Sequence, residues 1–441
     1  MKILSSRFFN WSYIVILSLL VFVPLYHGAP EIWSDTAKYL HFDSSRPILY
    51  PIFLWLFHGF GNDQLNVVMW VQGALNFLTL LYVNKWLRER FQLPTYLTFI
   101  VSFVTIALIF NYFKMVQNIT AEALAFPLFV LTITALVDTF KKFDIKRFFS
   151  LMLFCNLLIL TREQFYYFYP LCLLVVAWHF WKHANVKMFL QGLAIFISSI
   201  LIASFLTKTY QYSINHQFRG SSHAGELFIS QMLYLSSPGD NKYFTNPTEK
   251  LAFEKIMKKL QKLKITKQSA YDLHPPLTLD AAYNHFTRVV IDIETYAKLN
   301  LPASMNAYEV NDTLLHISKT LFLHSIKNNL MFYTWKTASV VGGLWILIGF
   351  LMILSVFSLR AITDRKWNPS LSQIFIATAL MTIISNAIFI SVVAHYETRY
   401  FYYSYYLYFI LAALVAKEFV VPYVRNTAET IVTQLDNKLV I

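Results

Sequence analysis

The sequence predicts an all-α polytopic membrane protein with about ten transmembrane helices, an interfacial helix in the first outward loop and a small external domain. Three observations carry that expectation. Hydrophobic residues make up 56% of the 441-residue chain and charged residues only 14%, an apolar surplus that a water-soluble domain could not bury. These residues gather into runs near the roughly 20-residue length of a helical crossing. The loops between runs carry cations on alternate sides, as expected when those loops stay in the cytoplasm.

The runs are Phe8 to Tyr26, Val67 to Val83, Tyr96 to Tyr112, Ile119 to Val137, Phe148 to Leu160, Phe165 to Trp181, Met188 to Leu206, Met331 to Phe357, Ile374 to Val393 and Phe401 to Val421. The cations fall at Lys2 and Arg7; Lys85, Arg88 and Arg90; Lys141, Lys142, Lys146 and Arg147; Lys182 and Lys187; Arg360, Arg365 and Lys366; and Lys417 and Arg425. By the positive-inside rule these loops and both termini are cytoplasmic, and the remaining loops face outward. Lys2 and Arg7 before an apolar core also resemble a signal peptide. The zone Tyr26-His27-Gly28-Ala29 puts a bulky residue three positions before either small one, so an uncleaved first helix is expected.

Three regions follow: a transmembrane half with the first outward loop (1–206), an external loop domain (207–330) and C-terminal transmembrane helices (331–441). Within the first outward loop, Ile48 to Phe60 is too short to cross and aromatic enough to lie in the interface. In the external segment, Lys250 to Lys267 reads as a helix with apolar Leu251, Phe253, Ile256, Leu260 and Leu263 among its lysines. It is either a surface that attracts anionic head groups or a solvated helix with one face on its own domain.

Several functions are set aside at this level. The formal net charge of +13 is explained by topology, and no zinc-finger or RNA-binding signature accompanies it. Cys155 and Cys172 fall inside apolar runs and imply buried thiols, with no metal ligand set. Asp35, Arg46, Glu122, Arg162, Glu163, Lys336, His395, Glu397 and Arg399 gather at the outer ends of the spans. An ion-coupled transporter would more often hold carboxylates near the midplane.

Singly, each of these residues has a local explanation: Asp35 as a helix cap, Glu122 as a first-turn carboxylate, Arg162 and Arg399 as arginines reaching the head groups. Together they form an ordered set: Ser34-Asp35 with Tyr39, Arg46-Pro47-Ile48-Leu49-Tyr50-Pro51, Thr120-Ala121-Glu122, Leu160-Thr161-Arg162 and Glu397-Thr398-Arg399-Tyr400. This order resembles the multi-pass glycosyltransferases that use polyprenyl-phosphate sugars, similar to dolichyl-phosphate-mannose-protein mannosyltransferases and the bacterial transferases that add aminoarabinose to lipid A. The resemblance covers roughly residues 1 to 210 and the final hairpin. It departs at Thr36, where the family commonly has a second acid, which Asp43 is placed to replace.

The resemblance implies transfer of a sugar from a polyprenyl-phosphate carrier to a lipid, glycan or protein acceptor at the outer face, by inverting displacement. The setting would be a bacterial inner membrane with the site facing the periplasm. Asp35 is the expected base, and Arg399, Arg162 and Arg46 the expected phosphate ligands. Tyr39, Asp43, Tyr50, Glu122, Glu397 and Tyr400 are expected in support. No cofactor or metal ligand is assigned, with a divalent cation left open, and no nucleic acid is expected. A lipid or polysaccharide translocase and a non-catalytic assembly factor are the alternatives.

Overall fold

The computed structural model describes residues 7–221, 224–273, 278–364, 366–393 and 398–420. The chain is 83% helical, with no strands among the described residues. Among the described residues, six helical segments are long and apolar enough to cross a bilayer: His58–Phe91, Thr95–Tyr112, Glu122–Lys141, Val186–Asn215, Leu344–Thr363 and Leu371–Val392. The protein is therefore an all-α membrane protein, while the expectation of about ten spans goes beyond these six.

Helix α1 (Arg7–His27) enters the core along Tyr13, Leu17, Val21 and Leu25. Two short helices follow, α2 (Ser34–Leu40) and α3 (Leu49–Trp55). Trp55, Leu56 and Phe60 stand exposed at the end of α3 and in the 3₁₀ turn after it, the apolar surface expected of an interfacial segment. Helices α4 (Gln64–Phe91), α5 (Thr95–Thr105, continued by a π-helical stretch to Tyr112), α6 (Glu122–Lys141), α7 (Ile145–Thr161), α8 (Phe168–His183) and α9 (Val186–Asn215) complete the first half.

The segment 207–330 contains α10 (Ala224–Leu235), α11 (Pro247–Lys262), α12 (Lys267–Leu273), α13 (Leu279–Leu299) and α14 (Ala307–His324). Its separate hydrophobic core is built on Phe253, Ile256, Leu260, Phe286, Ile293 and Ile317, and takes in Phe332 and Tyr333 from α15 (Ile326–Val341). Helix α11 buries Ala252, Phe253, Ile256, Met257 and Leu260, whereas Leu251 and Leu263 face outward. The lysine-rich helix thus packs one face on its own domain, with a register that differs at two apolar positions from the sequence reading.

Among the described residues three further helices follow: α16 (Leu344–Thr363), α17 (Leu371–Val393) and α18 (Tyr402–Val415). The single run expected over Met331 to Phe357 is two helices. Gly342 and Gly343 between them adopt φ of +113° and +127°, which only glycine reaches without strain and which ends a helix. Lys336, expected at an outer span end, is buried in α15, where its Nζ donates to Gln231 Oε1 at 3.2 Å.

Buried amides tie the helices at fixed registers. Asn76 of α4 donates to Ala123 O of α6 at 2.7 Å, and Asn84 donates to Ser102 Oγ of α5 at 2.7 Å and to the Tyr13 hydroxyl of α1. In an apolar interior such groups are costly unless paired, so each pair selects one alignment. The cationic ends also meet. Lys417 donates to Phe91 O at 2.9 Å, Arg90 pairs with Asp138 at 3.1 Å, and Lys141 donates to Pro369 O at 3.1 Å. Because α6 runs 20 residues from Glu122 to Lys141, these ends lie about 30 Å from the Glu122 end. Single cysteines at exposed Lys258 and Asn368, in a Cys155→Ala/Cys172→Ala background, should label from opposite sides of a sealed vesicle with an impermeant thiol reagent; labelling from one side would break this arrangement.

Candidate active site

At the Glu122 end of the bundle, five charged side chains from five separate segments converge. Asp35 in the first turn of α2 accepts from Arg46 Nη2 at 2.6 Å through Oδ1 and from Arg399 Nη2 at 3.2 Å through Oδ2. Arg399 Nε lies 3.6 Å from Glu122 Oε1, and Glu122 also pairs with Arg162. The Glu122 carboxylate is 3% exposed and the Asp35, Arg46, Arg162 and Arg399 side chains 13–15%, so the network is shielded from bulk water and its pairing is strong.

Local structure explains each position. Thr36, where the sequence departs from the pattern of paired acids, is fully buried; its hydroxyl accepts from Trp33 N and donates to Ile119 O, both at 2.9 Å. With the backbone bonds Glu31 N to Gln117 O (2.9 Å) and Ile119 N to Glu31 O (3.0 Å), it fastens the first outward loop to the segment that leads into α6. Asp35 is thereby fixed relative to Glu122. Arg46 follows a turn in which Asp43 Oδ1 accepts from Ser45 N at 2.8 Å and Ser45 Oγ at 2.6 Å. Gln211 of α9 clamps that turn through Ser44 O at 2.9 Å and accepts from Tyr308 of α14 at 2.9 Å. The arginine loop is therefore held by α9 and, through it, by α14.

Arg162 caps the end of α7 in an extended conformation, and a 3₁₀ turn (Glu163–Tyr167) follows. Arg399 lies in another 3₁₀ turn (Thr398–Phe401), before α18 begins. Asn386 of α17 fixes that turn by donating to Tyr400 O at 3.2 Å and Ser404 Oγ at 3.0 Å. The expectation that Arg399 precedes the last helix thus agrees with the fold. Glu397 and His395 lie outside the described residues.

A cleft of about 120 Å³ opens beside the network, lined by Tyr39, Arg46, Arg162, Glu163, Gln164 and Tyr400 among others. The Tyr400 ring stacks under Arg162, with the guanidinium 4.7 Å from its centroid, and Arg399 sits over Trp33 at 5.4 Å. Burial, countered in part by Arg46, pushes the Tyr39 phenol up to about 12, so it keeps its proton at any working pH. Leu227 of the external domain and Phe389 and Ile390 of α17 supply apolar walls.

Seven of the expected site residues form the network or line the cleft beside it: Asp35, Arg46, Glu122, Arg162, Arg399, Tyr39 and Tyr400. Tyr50 does not reach it: its hydroxyl donates to Gln72 Oε1 of α4 at 2.8 Å, and its ring meets Tyr39 edge-on at 4.9 Å, so it buttresses the loop. Asp43 is occupied in the Ser45 turn, and the second carboxylate of the network is Glu122. Gln164 and Glu163 were not singled out as site residues, although they extend the polar break after Arg162. Gln164 is 6% exposed, and its Nε2 has no hydrogen-bond partner among the described residues, leaving a buried donor at the cleft wall. Glu163 accepts from Ser221 Oγ at 2.9 Å. Among the described residues, no group of three or more His, Cys, Asp or Glu side chains could hold a metal ion.

Comparison of the chain with protein-family models, curated proteins and solved structures returns no match. The site stands on its own geometry. Since Glu122 balances Arg162 in a buried pair, Glu122→Gln should destabilise the protein by about 3–5 kcal/mol, seen as a lower melting temperature in detergent. Adding Arg162→Met should restore part of that loss; additive losses would mean that the two side chains are not energetically joined.

Proposed function

We propose that this protein is a glycosyltransferase that moves a sugar from a polyprenyl-phosphate carrier to an acceptor hydroxyl at the outer face of a membrane it crosses about ten times. The observation that carries this reading is the shielded network of three arginines and two carboxylates beside a cleft at one end of the bundle. These five groups sum to one positive charge. A polyprenyl-phosphate sugar is a phosphodiester with one negative charge, so it neutralises the network while its tail stays in the bilayer and its sugar reaches the cleft.

The same charges suit the reaction. Asp35 takes the proton of the acceptor hydroxyl, whose oxygen attacks the anomeric carbon; the bond from that carbon to the phosphate oxygen breaks, and its electron pair leaves with the phosphate. One negative charge is lost at Asp35 and one is gained on the phosphomonoester, so the total does not change. Arg399 and Arg46, which hold the Asp35 carboxylate beforehand, are then released toward the phosphate as its charge grows. Cations arranged in this way stabilise the transition state more than the ground state. Glu122 is a positioning residue that keeps Arg162 and Arg399 in place. Gln164 presents an N–H to the sugar or phosphate.

The orientation follows the cation distribution: the network faces outward, and the ends at Phe91, Lys141 and Lys417 face the cytoplasm. A bacterial inner membrane with a periplasmic site is the setting we favour. The acceptor is a lipid, glycan or protein carrying a free hydroxyl.

Asp35→Asn preserves shape but removes the base, and base assistance is worth typically 10²- to 10⁴-fold in rate. Transfer from a synthetic polyprenyl-phosphate sugar by the purified variant should fall by that order in protein that still extracts and elutes as a folded species, although loss of the pairs with Arg46 and Arg399 lowers its melting temperature. Near-normal turnover would defeat the assignment and leave Asp35 as a tie between two arginines. Arg399→Lys should weaken donor use partially and Arg399→Ala severely, because lysine keeps the charge and loses the planar fork. Unchanged donor affinity and turnover in Arg399→Ala would remove the arginine from the phosphate site.

A further inference from the structure

The end of the bundle opposite the cleft holds a second, unlike cavity. It measures about 260 Å³ and lies between α8, α16 and α17, with walls formed by Leu174, Trp178, Leu354, Ala361, Ala377 and Met381. Its origin is the loose seating of α16: of its 20 residues only Leu347 is buried, while Met352, Val356, Leu359 and Ile362 are more than 60% exposed. Ser358, Gln373 and Thr378 are the polar residues in otherwise mainly apolar walls, so the natural filling of this gap in a bilayer is hydrocarbon.

The mouth of the cavity is basic. Trp367 forms its lip, with its ring 6.4 Å from Trp178 at 84° and 6.2 Å from Phe357 at 20°. Three cations surround that lip: Arg360 has its guanidinium 5.4 Å from the Trp367 centroid, Lys182 lies 5.2 Å from the Trp178 centroid and donates to Trp367 O, and Lys141 donates to Pro369 O at 3.1 Å and Asn368 Oδ1 at 3.4 Å. Their recorded partners are carbonyls, an amide and aromatic rings. Among the described residues no acid forms an ion pair with Lys141, Lys182 or Arg360: Asp138 pairs with Arg90, Glu89 with Lys85 and Glu418 with Lys417, while the Asp144 and Asp364 carboxylates accept from Lys146 N and Lys366 N. Three positive charges therefore cluster at the head-group level, directly above an apolar slot.

We propose that this slot is a binding site for one anionic phospholipid, with an acyl chain between α16 and α8 and the phosphate among Lys141, Lys182 and Arg360. The aromatic lip marks the interface depth at which tryptophan is favoured, and basic pockets between membrane helices suit acidic head groups. The bound chain supplies the packing that α16 lacks. The site is independent of the reading of the cleft, since it uses none of the same residues.

The test is native mass spectrometry of the purified full-length protein, with phosphatidylglycerol and phosphatidylcholine of matched acyl chains added in turn. Wild type should retain one phosphatidylglycerol with a preference of at least about tenfold, given the attraction of each cation near the head groups. Lys141→Gln/Lys182→Gln/Arg360→Gln should abolish the preference while lipid is still retained. Ala377→Phe, or Ala361→Phe on the opposite wall, should fill the slot and abolish retention of either lipid. Equal retention of both lipids by wild type, which needs no variant to be read, would overturn the proposal. Undiminished retention of phosphatidylglycerol in a folded slot-filled variant would do the same.

Discussion

A buried charge must be paired, and that requirement organises the Glu122 end of this protein. Glu122 opens a helix inside the bundle, where an unbalanced carboxylate would cost several kcal/mol. Arg162 and Arg399 answer it, and the excess positive charge they bring is shared with Asp35, which in turn holds Arg46. The five residues sit on five stretches of chain, so satisfying one charge fixes how α2, the following loop, α6, the end of α7 and the start of α18 approach one another. Loops that would otherwise wander at a membrane surface are thereby held in one arrangement.

The rest of the first half works to the same end. Thr36, Gln72 and Gln211 use side-chain hydrogen bonds to bind outward loops to one another and to the helices: Thr36 to Ile119 O, Gln72 to Val116 O at 3.1 Å and Gln211 to Ser44 O. Inside the bundle Asn76, Asn84 and Asn386 do the same between helices. Since lipid is as apolar as the helix surfaces, burial alone gives little reason for one helix register over another, and these polar ties supply the choice. Packing is correspondingly uneven: α6 is largely buried, whereas α9 and α16 show most of their surface to the surroundings. The tight region surrounds the cleft, and the loose helices border the lipid.

The contrast between the two cavities follows from that unevenness. At the Glu122 end, charged groups line the cleft because the network demands partners from several segments. At the opposite end, α16 stands off after the Gly342-Gly343 break and leaves an apolar slot beneath a basic lip. One is a polar cleft lined by arginines and the other a mainly apolar slot.

The sequence by itself determined the membrane character of this chain, because composition and run length are properties that no later contact changes. It also made legible the lysine-rich helix of the segment 207–330 and the five charged residues of the network, since charge at the edge of an apolar run is costly to keep unpaired. Only the tertiary structure decided how those residues are used. Asp43 and Tyr50 belong to supports, because the Ser45 turn and Gln72 claim them first. Gln164 could not be recognised as a cleft residue, because its burial without a partner depends on neighbours distant in the chain. The break at Gly342-Gly343 and the pairing of Asp35 with both Arg46 and Arg399 are likewise set by three-dimensional approach, for sequence spacing records which groups are present and only packing brings groups hundreds of residues apart within hydrogen-bond reach.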